Sequence, residues 1–462
     1  MANRAPRTMS AQAQRFVRWA LAGLGLVFVL YAVSDHPLYG GEPGFGWTQR
    51  VVCGLGVVLV VVARVAAATL VARLVVLCLM GTVALGLGEC AGEMVLGPRH
   101  RPIYQADDEV IFGFIPGRHS VTTLSERNGG ATIHHQINDD GFRGPALREA
   151  GEATRVVVYG DSFVHGYYSP DEETFVAQLG ERLRGHLGRE VEMVNAGVSS
   201  YGPDQALYKM QRELPALRPD AVVMTVYAGN DYGDLMRNKM FRVNPAGEVV
   251  ENSWRLDEEV KMRLALAQRS SILKRAIGPM IRRIGRDRGR PNQAVDLEFL
   301  LAEAEREYQS HAVDGDPTVT NTHVDYYAAD VSLTPNSDSA RYKVSLMHGV
   351  LRRIAAYVGE QGLPLVFVFV PHAGDLSSAY DWPAVDPERF PDYNRRNQVR
   401  PLEELAQAEG WLAVSLFDAF QARDVNALYL HGGDDHWNGA GQAYAAELVA
   451  EAMLAQSVFS TL

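Results

Sequence analysis

Residues 154–166 read TRVVVYGDSFVHG, and the reading of this stretch decides the fold. Arg155 is followed by Val156, Val157, Val158 and Tyr159 with no polar alternation. That is the pattern of a strand buried on both faces, as in a parallel sheet flanked by helices. The run stops at Gly160, Asp161 and Ser162, which such a strand places at its carboxyl end. Ligands bind at that edge of an open α/β sheet, and a serine at the strand-to-helix turn lies beside the unpaired backbone donors of the next helix. An ordinary Gly-Asp-Ser turn carries the same three letters, so the case for chemistry depends on the rest of the chain.

Working outward, residues 191–194 form a second apolar run ending in Asn195, Ala196 and Gly197. Residues 221–227 form a third, ending in Ala228, Gly229 and Asn230. Each sets a small residue and a candidate oxyanion donor after a strand-like segment. Residues 365–370 and 411–416 supply two further strands, the first leaving through Pro371 and His372. Residues 432–442, GGDDHWNGAGQ, then bring Asp434 and His436 into a polar turn before a final helical pattern, supplying a base and its orienter.

In these four separated motifs the chain resembles the SGNH hydrolases, also called the GDSL family, from about residue 110 to the C-terminus with a poorly matched middle. The resemblance implies a flavodoxin-like three-layer α/β/α domain with a parallel central sheet, preceded here by apolar segments. It also implies that Ser162 is the nucleophile, Gly197 and Asn230 complete the oxyanion hole, and His436 is the base. Many members place the orienting aspartate three residues before the histidine, where this chain has Gly433. Asp434 stands two before it, as in membrane-linked and alginate-acetylation-type members, so Asp434 is assigned as orienter with Asp435 as its competitor. The implied activity is that of a serine esterase removing an acetyl or other short acyl group from an extracellular or envelope glycan. A polysaccharide O-acetyltransferase, a lipid esterase and an inactive glycan-binding scaffold stay open as alternatives.

This chemistry calls for no cofactor and no metal. Asp161, Asp434, Asp435 and His436 suggest a metal cluster by composition alone, but the motif divides them between a strand-end turn and a catalytic dyad. The glycines around Gly160 lack the spacing of a phosphate loop or dinucleotide fingerprint. A formal charge of −11 gives no reason to expect a nucleic-acid partner. Cys53, Cys78 and Cys90 all lie in or beside N-terminal apolar segments, leaving the large C-terminal domain without a disulfide framework or cysteine metal site.

Residues 1–100 read as a membrane anchor. Residues 16–33 are almost wholly apolar apart from Arg18, close to the roughly 20 residues that cross a bilayer. Residues 47–88 are too long for one span and contain Arg50, Arg64 and Arg73. A buried arginine costs about 3 kcal/mol on an insertion scale. Dividing the block into spans at 47–64 and 73–90 puts Arg64 and Arg73 in a turn at the interface. Three spans with a cytoplasmic, arginine-bearing N-terminus give a multi-pass inner-membrane protein whose catalytic domain lies outside, in the periplasm or beyond; two spans reverse that domain.

Residues 101–152 are expected to be lead-in strands and linker, followed by the hydrolase-like domain at 153–462. INDDGFRG at 137–144 is a compact turn expected to cover a sheet edge, with Arg143 structural. Asp231 is placed either in loop bonding or at substrate, and His372 as a hydrogen-bonded loop histidine in preference to a substrate contact. Trp437 and Tyr232 are candidates for stacking on a sugar or for packing. Residues 233–360 resist assignment. They carry a basic, broadly helical stretch around Lys274, Arg275, Arg282 and Arg283, and together suggest a mainly helical cap over the cleft.

Overall fold

The computed structural model describes residues 9–34, 47–100, 102–268, 296–319, 327–380, 382–432, 434–456 and 458–459. The basic stretch around Lys274, Arg275, Arg282 and Arg283 lies outside them, as does Gly433. The chain divides into two compact units, Met1–Pro98 with Ala265–Ile284, and Arg99–Leu264 with Gly285–Leu462.

In the first unit, α1 (Ala11–Ala32), α2 (Trp47–Val65) and α3 (Ala68–His100) account for the N-terminal apolar sequence. Ser10 caps α1 by accepting from the Ala13 amide. Arg18, the one charge inside the first apolar run, donates to the carbonyls of Ala63, Arg64 and Ala66 at the end of α2. A helix C-terminus carries unpaired carbonyls and partial negative charge, so the guanidinium is satisfied without an acidic partner. Gly25 and Gly56 let the two helices touch, since a Cβ on either would sit 2.6 Å from the other's carbonyl oxygen. The turn after α2 is only Ala66 and Ala67, and Arg73 lies inside α3. The expected turn from Arg64 to Arg73 is thus shorter, because the chain is already helical from Ala68 and carries Arg73 within that helix. Among the described residues two helices, Ala11–Ala32 and Ala68–Gly92, are long and apolar enough to cross a membrane. The helix at the expected middle span is not one of these two.

The second unit opens with two antiparallel hairpins, β1 (Tyr104–Asp107) with β2 (Ile111–Phe114), and β3 (His119–Thr123) with β4 (Thr132–Gln136). Then come β5 (Thr154–Tyr159), α4 (Ser162–His165), α5 (Phe175–Leu187), β6 (Val191–Asn195), α6 (Pro203–Leu217), β7 (Ala221–Tyr227) and α7 (Asp231–Asn238). A short hairpin of β8 (Phe241–Val243) and β9 (Val249–Glu251) follows, and β10 (Arg255–Leu256) pairs in parallel with β11 (Thr318–Val319). Between the members of that second pair lie α8 (Glu258–Gln268) and α9 (Leu297–Tyr308), and after it α10 (Ala329–Leu333) and α11 (Asp338–Glu360). The chain closes with β12 (Leu365–Val370), α12 (Ala373–Leu376), α13 (Arg400–Glu409), β13 (Ala413–Ser415), α14 (Phe417–Gln421) and α15 (Gly439–Ala455).

The central sheet is all parallel and runs β13-β12-β7-β5-β6. Counting only its own strands in chain order, this is 2-1-3-4-5, with the reversal of direction between the first and third strands, β5 and β7. Every residue of β5 and β7 is buried, as an unalternating apolar run requires. Each fully buried valine there contributes about 1.5–3 kcal/mol by leaving water.

The INDDGFRG element bonds to the edge strand β6 through a bridge between Arg143 and Asn195. Asn138 shapes its turn, accepting from the amides of Asp140 and Phe142 and donating to the Pro145 carbonyl. In the 233–360 region, α11 buries Leu346, Met347, Val350, Leu351, Ile354 and Val358 in the main core. That helix belongs to the body of the domain, and the region holds short strands as well as helices.

Candidate active site

The strand-end serine is positioned by a close packing that only glycine permits. A Cβ on Gly160 would lie 2.6 Å from Val164 Cγ2 and 3.2 Å from the Thr225 carbonyl of the neighbouring strand β7. Asp161 caps the single turn α4, its Oδ1 accepting from the Phe163 amide at 2.9 Å. Ser162 is therefore the first residue of a helix at the switch point of the sheet.

His436 Nε2 lies 2.7 Å from Ser162 Oγ, and His436 Nδ1 lies 2.8 Å from Asp434 Oδ1. The same Asp434 oxygen accepts from the His436 amide at 3.2 Å, locking aspartate and imidazole into one small turn. Asp435 is more distant, its Oδ1 3.4 Å from Nδ1, and its other oxygen accepts from the Tyr227 hydroxyl at 2.5 Å. The imidazole is held between the ring of Phe163, stacked at 4.9 Å, and the edge-on ring of Tyr168, also at 4.9 Å.

Burial alone would raise the Asp434 carboxyl, but hydrogen bonds from His436 and Tyr168 outweigh it and hold the group below its ordinary value. Burial lowers His436, yet the Asp434 hydrogen bond and the charges of Asp435, Asp434 and Asp161 lift it to about 9. A general base works only when neutral, so kcat/KM should rise with pH through about 9. At pH 7 it should stand about a hundredfold below its alkaline plateau, at tenfold per pH unit below the controlling group. A pH–rate profile from 6 to 10 checks this; a plateau already reached at pH 7 would show a base with an ordinary imidazole pKa.

The two expected oxyanion residues flank this relay differently. Gly197 packs directly on α4, where a Cβ would meet Val164 Cβ at 2.5 Å and the His165 nitrogen at 2.6 Å. Its amide donates to Asn195 Oδ1 at 3.2 Å, and the Asn195 side chain in turn donates to the Val164 carbonyl. Three residues later Ser200 holds a left-handed backbone, φ 64°, which glycine adopts more readily. Asn230 follows β7 at the same sheet edge and is buried with its Oδ1 unpartnered. A buried polar atom left unpaired in this position is suited to a ligand's polar group.

Other sequence candidates settle into structural roles. Arg143 donates to the carbonyls of His165, Gly166 and Ser169 and to the Asp171 carboxylate, fixing the chain as it leaves α4. Asp231 accepts from the Tyr227 amide and braces the turn before Asn230. His372 is buried and accepts from the Gly374 amide, capping α12. Neither aromatic candidate is available to stack on a sugar. Trp437 packs against Phe163 and Phe175, and Tyr232 is buried with its hydroxyl on the Gln398 carbonyl.

A cavity of about 540 Å³ opens beside the relay. Besides the relay residues, its lining includes Thr123, Leu124, Ser125 and Asn128 from the β3–β4 hairpin, with Tyr168 and His431. Sequence reading missed all six, and no spacing or composition marks them. Asp434, Asp435 and His436 could each offer one ligand atom within 4.8 Å of the others. Those atoms already serve the hydrogen bonds of His436 with Asp434 and Ser162 and of Asp435 with Tyr227.

Residues 158–342 match the model of the GDSL-like lipase/acylhydrolase family. The matched stretch contains Ser162, Gly197 and Asn230 and stops before Asp434 and His436. No curated protein matches the chain. Among solved structures, a lipase/acylhydrolase from Enterococcus faecalis is 12% identical with a TM-score of 0.32, covering 65% of this chain and 96% of its own. A mutant acetyl-xylooligosaccharide esterase from Geobacillus Stearmophilus is 12% identical with a TM-score of 0.33, covering 68% and 97%. Similarity this remote bears on neither substrate nor site.

Proposed function

The chain carries a GDSL/SGNH-type esterase domain, and from that premise we propose that it is a membrane-anchored serine esterase removing acetyl or another short acyl group from an envelope glycan. The observation that carries the reading is the unbroken Asp434–His436–Ser162 relay, with both contacts to the imidazole under 3 Å. Ser162 Oγ attacks the ester carbonyl while His436 Nε2 takes its proton, and Asp434 stabilises the imidazolium that forms. The oxyanion is received by the Ser162 amide, the Asn230 side chain turned to present its NH2, and the Gly197 amide once released from Asn195. Collapse expels the alcohol, which takes the proton from His436. Water then attacks the acyl-enzyme with His436 again as base, releasing the acid and free Ser162.

The polar lining of the cavity favours a sugar ester over a long acyl chain. The strand order supports the flavodoxin-like three-layer reading, and the spacing of Asp434 to His436 supports the membrane-linked, alginate-acetylation-type branch. The two apolar helices support a membrane anchor; a catalytic domain outside the inner membrane follows from the arginine distribution when Trp47–Val65 crosses as a third span. Hydrolysis is preferred to transfer because water needs no dedicated acceptor site. Incubation with an isotopically labelled acetyl ester and envelope polysaccharides should release free acetate. Predominant transfer of label to one polysaccharide would replace the esterase by an O-acetyltransferase, and selective cleavage of long-chain lipid esters would move the substrate to the membrane.

A further inference from the structure

An acetyl group is two carbons and an oxygen, far smaller than the cavity of about 540 Å³ lined by Asp434, Asp435 and His436, whose His436 Nε2 lies 2.7 Å from Ser162 Oγ. That volume lies in the roughly 300–1,000 Å³ range of pockets that enclose a whole small molecule. Most of the space therefore receives the rest of the substrate. Its lining away from the relay comes from an element outside the core sheet, the tip of the β3–β4 hairpin.

The hairpin is fixed at two places. At its tip, Asn128 Oδ1 accepts from the His431 amide at 2.7 Å while Asn128 Nδ2 donates to the His431 carbonyl at 3.2 Å. This pairs the tip with the backbone of the loop that carries Asp434 and His436. On β4, Ile133 and His135 face inward and are buried. His135 stacks on Tyr167 at 4.9 Å and lies 5.4 Å from His165, at the exit of the nucleophile helix. The tip thus touches the histidine loop and the strand touches the serine helix, which sets the wall relative to both reacting groups.

We infer that Thr123, Leu124, Ser125 and Asn128 form the wall of a subsite for the alcohol portion of the ester, and that this subsite takes a sugar ring. The inference deepens the esterase reading above and rests on it. The hydroxyls of Thr123 and Ser125 and the exposed His431 imidazole offer donors and acceptors to ring hydroxyls, while Tyr168 offers an aromatic face and Asn128 holds the wall in place. A sugar replaces the water it displaces from these groups with hydrogen bonds of its own; an alkyl chain leaves them unpaired. Among the described residues, this lining includes none from 233–360.

The test compares two acetyl donors, partially acetylated cello-oligosaccharides and p-nitrophenyl acetate, through the ratio of their kcat/KM values. The double variant Thr123→Ala with Ser125→Ala should lower the oligosaccharide-to-aryl ratio about tenfold, mainly through KM for the oligosaccharide. Ser125→Trp, which fills the subsite instead of stripping it, should lower the same ratio further. An unchanged ratio in both variants overturns the subsite while leaving the esterase intact. Absence of Ser162-dependent turnover of either ester by the wild-type chain overturns the esterase reading and the subsite with it.

Discussion

Wild-type chain exposed to an activated short-chain ester should gain the mass of one acyl group, and Ser162→Ala should gain none. Steady-state turnover should fall roughly 10⁶-fold, the scale seen when a serine nucleophile is deleted from a hydrogen-bonded triad. The size of the effect follows from geometry: Ser162 Oγ is the atom 2.7 Å from His436 Nε2, so its removal leaves the base with nothing to activate. Asp161 is the nearest alternative nucleophile, but its carboxylate is committed to capping α4 through the Phe163 amide. Alanine at position 162 keeps the helix turn and its packing, so the fold should survive, as circular dichroism would check. Intact-protein mass spectrometry gives the decisive reading: equal acylation of the two proteins would remove Ser162 from the mechanism.

The parts of this molecule legible in the sequence are those whose signal is local. A strand buried on both faces must be apolar throughout, and β5 and β7 both are. The sharp halt of β5 is readable because its apolar run ends at Gly160, Asp161 and Ser162, and the structure gives the reason, since a side chain at Gly160 would collide with Val164 and Thr225. Asp434 and His436 were readable because two residues in one turn suffice to make the dyad. What escaped depends on pairings across hundreds of residues. Asn128 meets His431 across 303 positions, and nothing in the hairpin's own sequence announces that contact. Tyr168 is indistinguishable by sequence from Trp437, yet the first lines the cavity and the second fills the core. Helix limits slipped as well: the 33-residue helix α3 starts before Arg73 and runs past Glu93 to His100, so it starts earlier and ends later than the expected span.

Asp434→Asn should lower kcat/KM by about 10⁴, the loss produced by the corresponding change in the serine-protease triad, whereas Asp435→Asn should be mild. The two carboxylates are neighbours in sequence but hold the imidazole in different ways. Asp434 contacts Nδ1 at 2.8 Å and the backbone amide of the same histidine at 3.2 Å, so it fixes both tautomer and ring orientation. An asparagine there keeps the shape but removes the charge that stabilises the imidazolium in the transition state. Asp435 stands at 3.4 Å with its other oxygen held by Tyr227, and acts on His436 through charge across that longer gap. Its removal should therefore shift the pH dependence more than the maximal rate. Because Asp435 is among the charges lifting His436 to about 9, Asp435→Asn should move the rising limb of the pH–rate profile downward. At pH 7 that shift partly offsets any loss of rate, since a larger fraction of the histidine is neutral. The two variants are separated by measuring full pH–rate profiles on proteins of matched thermal stability. A severe defect in Asp435→Asn beside near-normal activity in Asp434→Asn would exchange their roles, making the 3.4 Å contact the one that tightens when substrate binds.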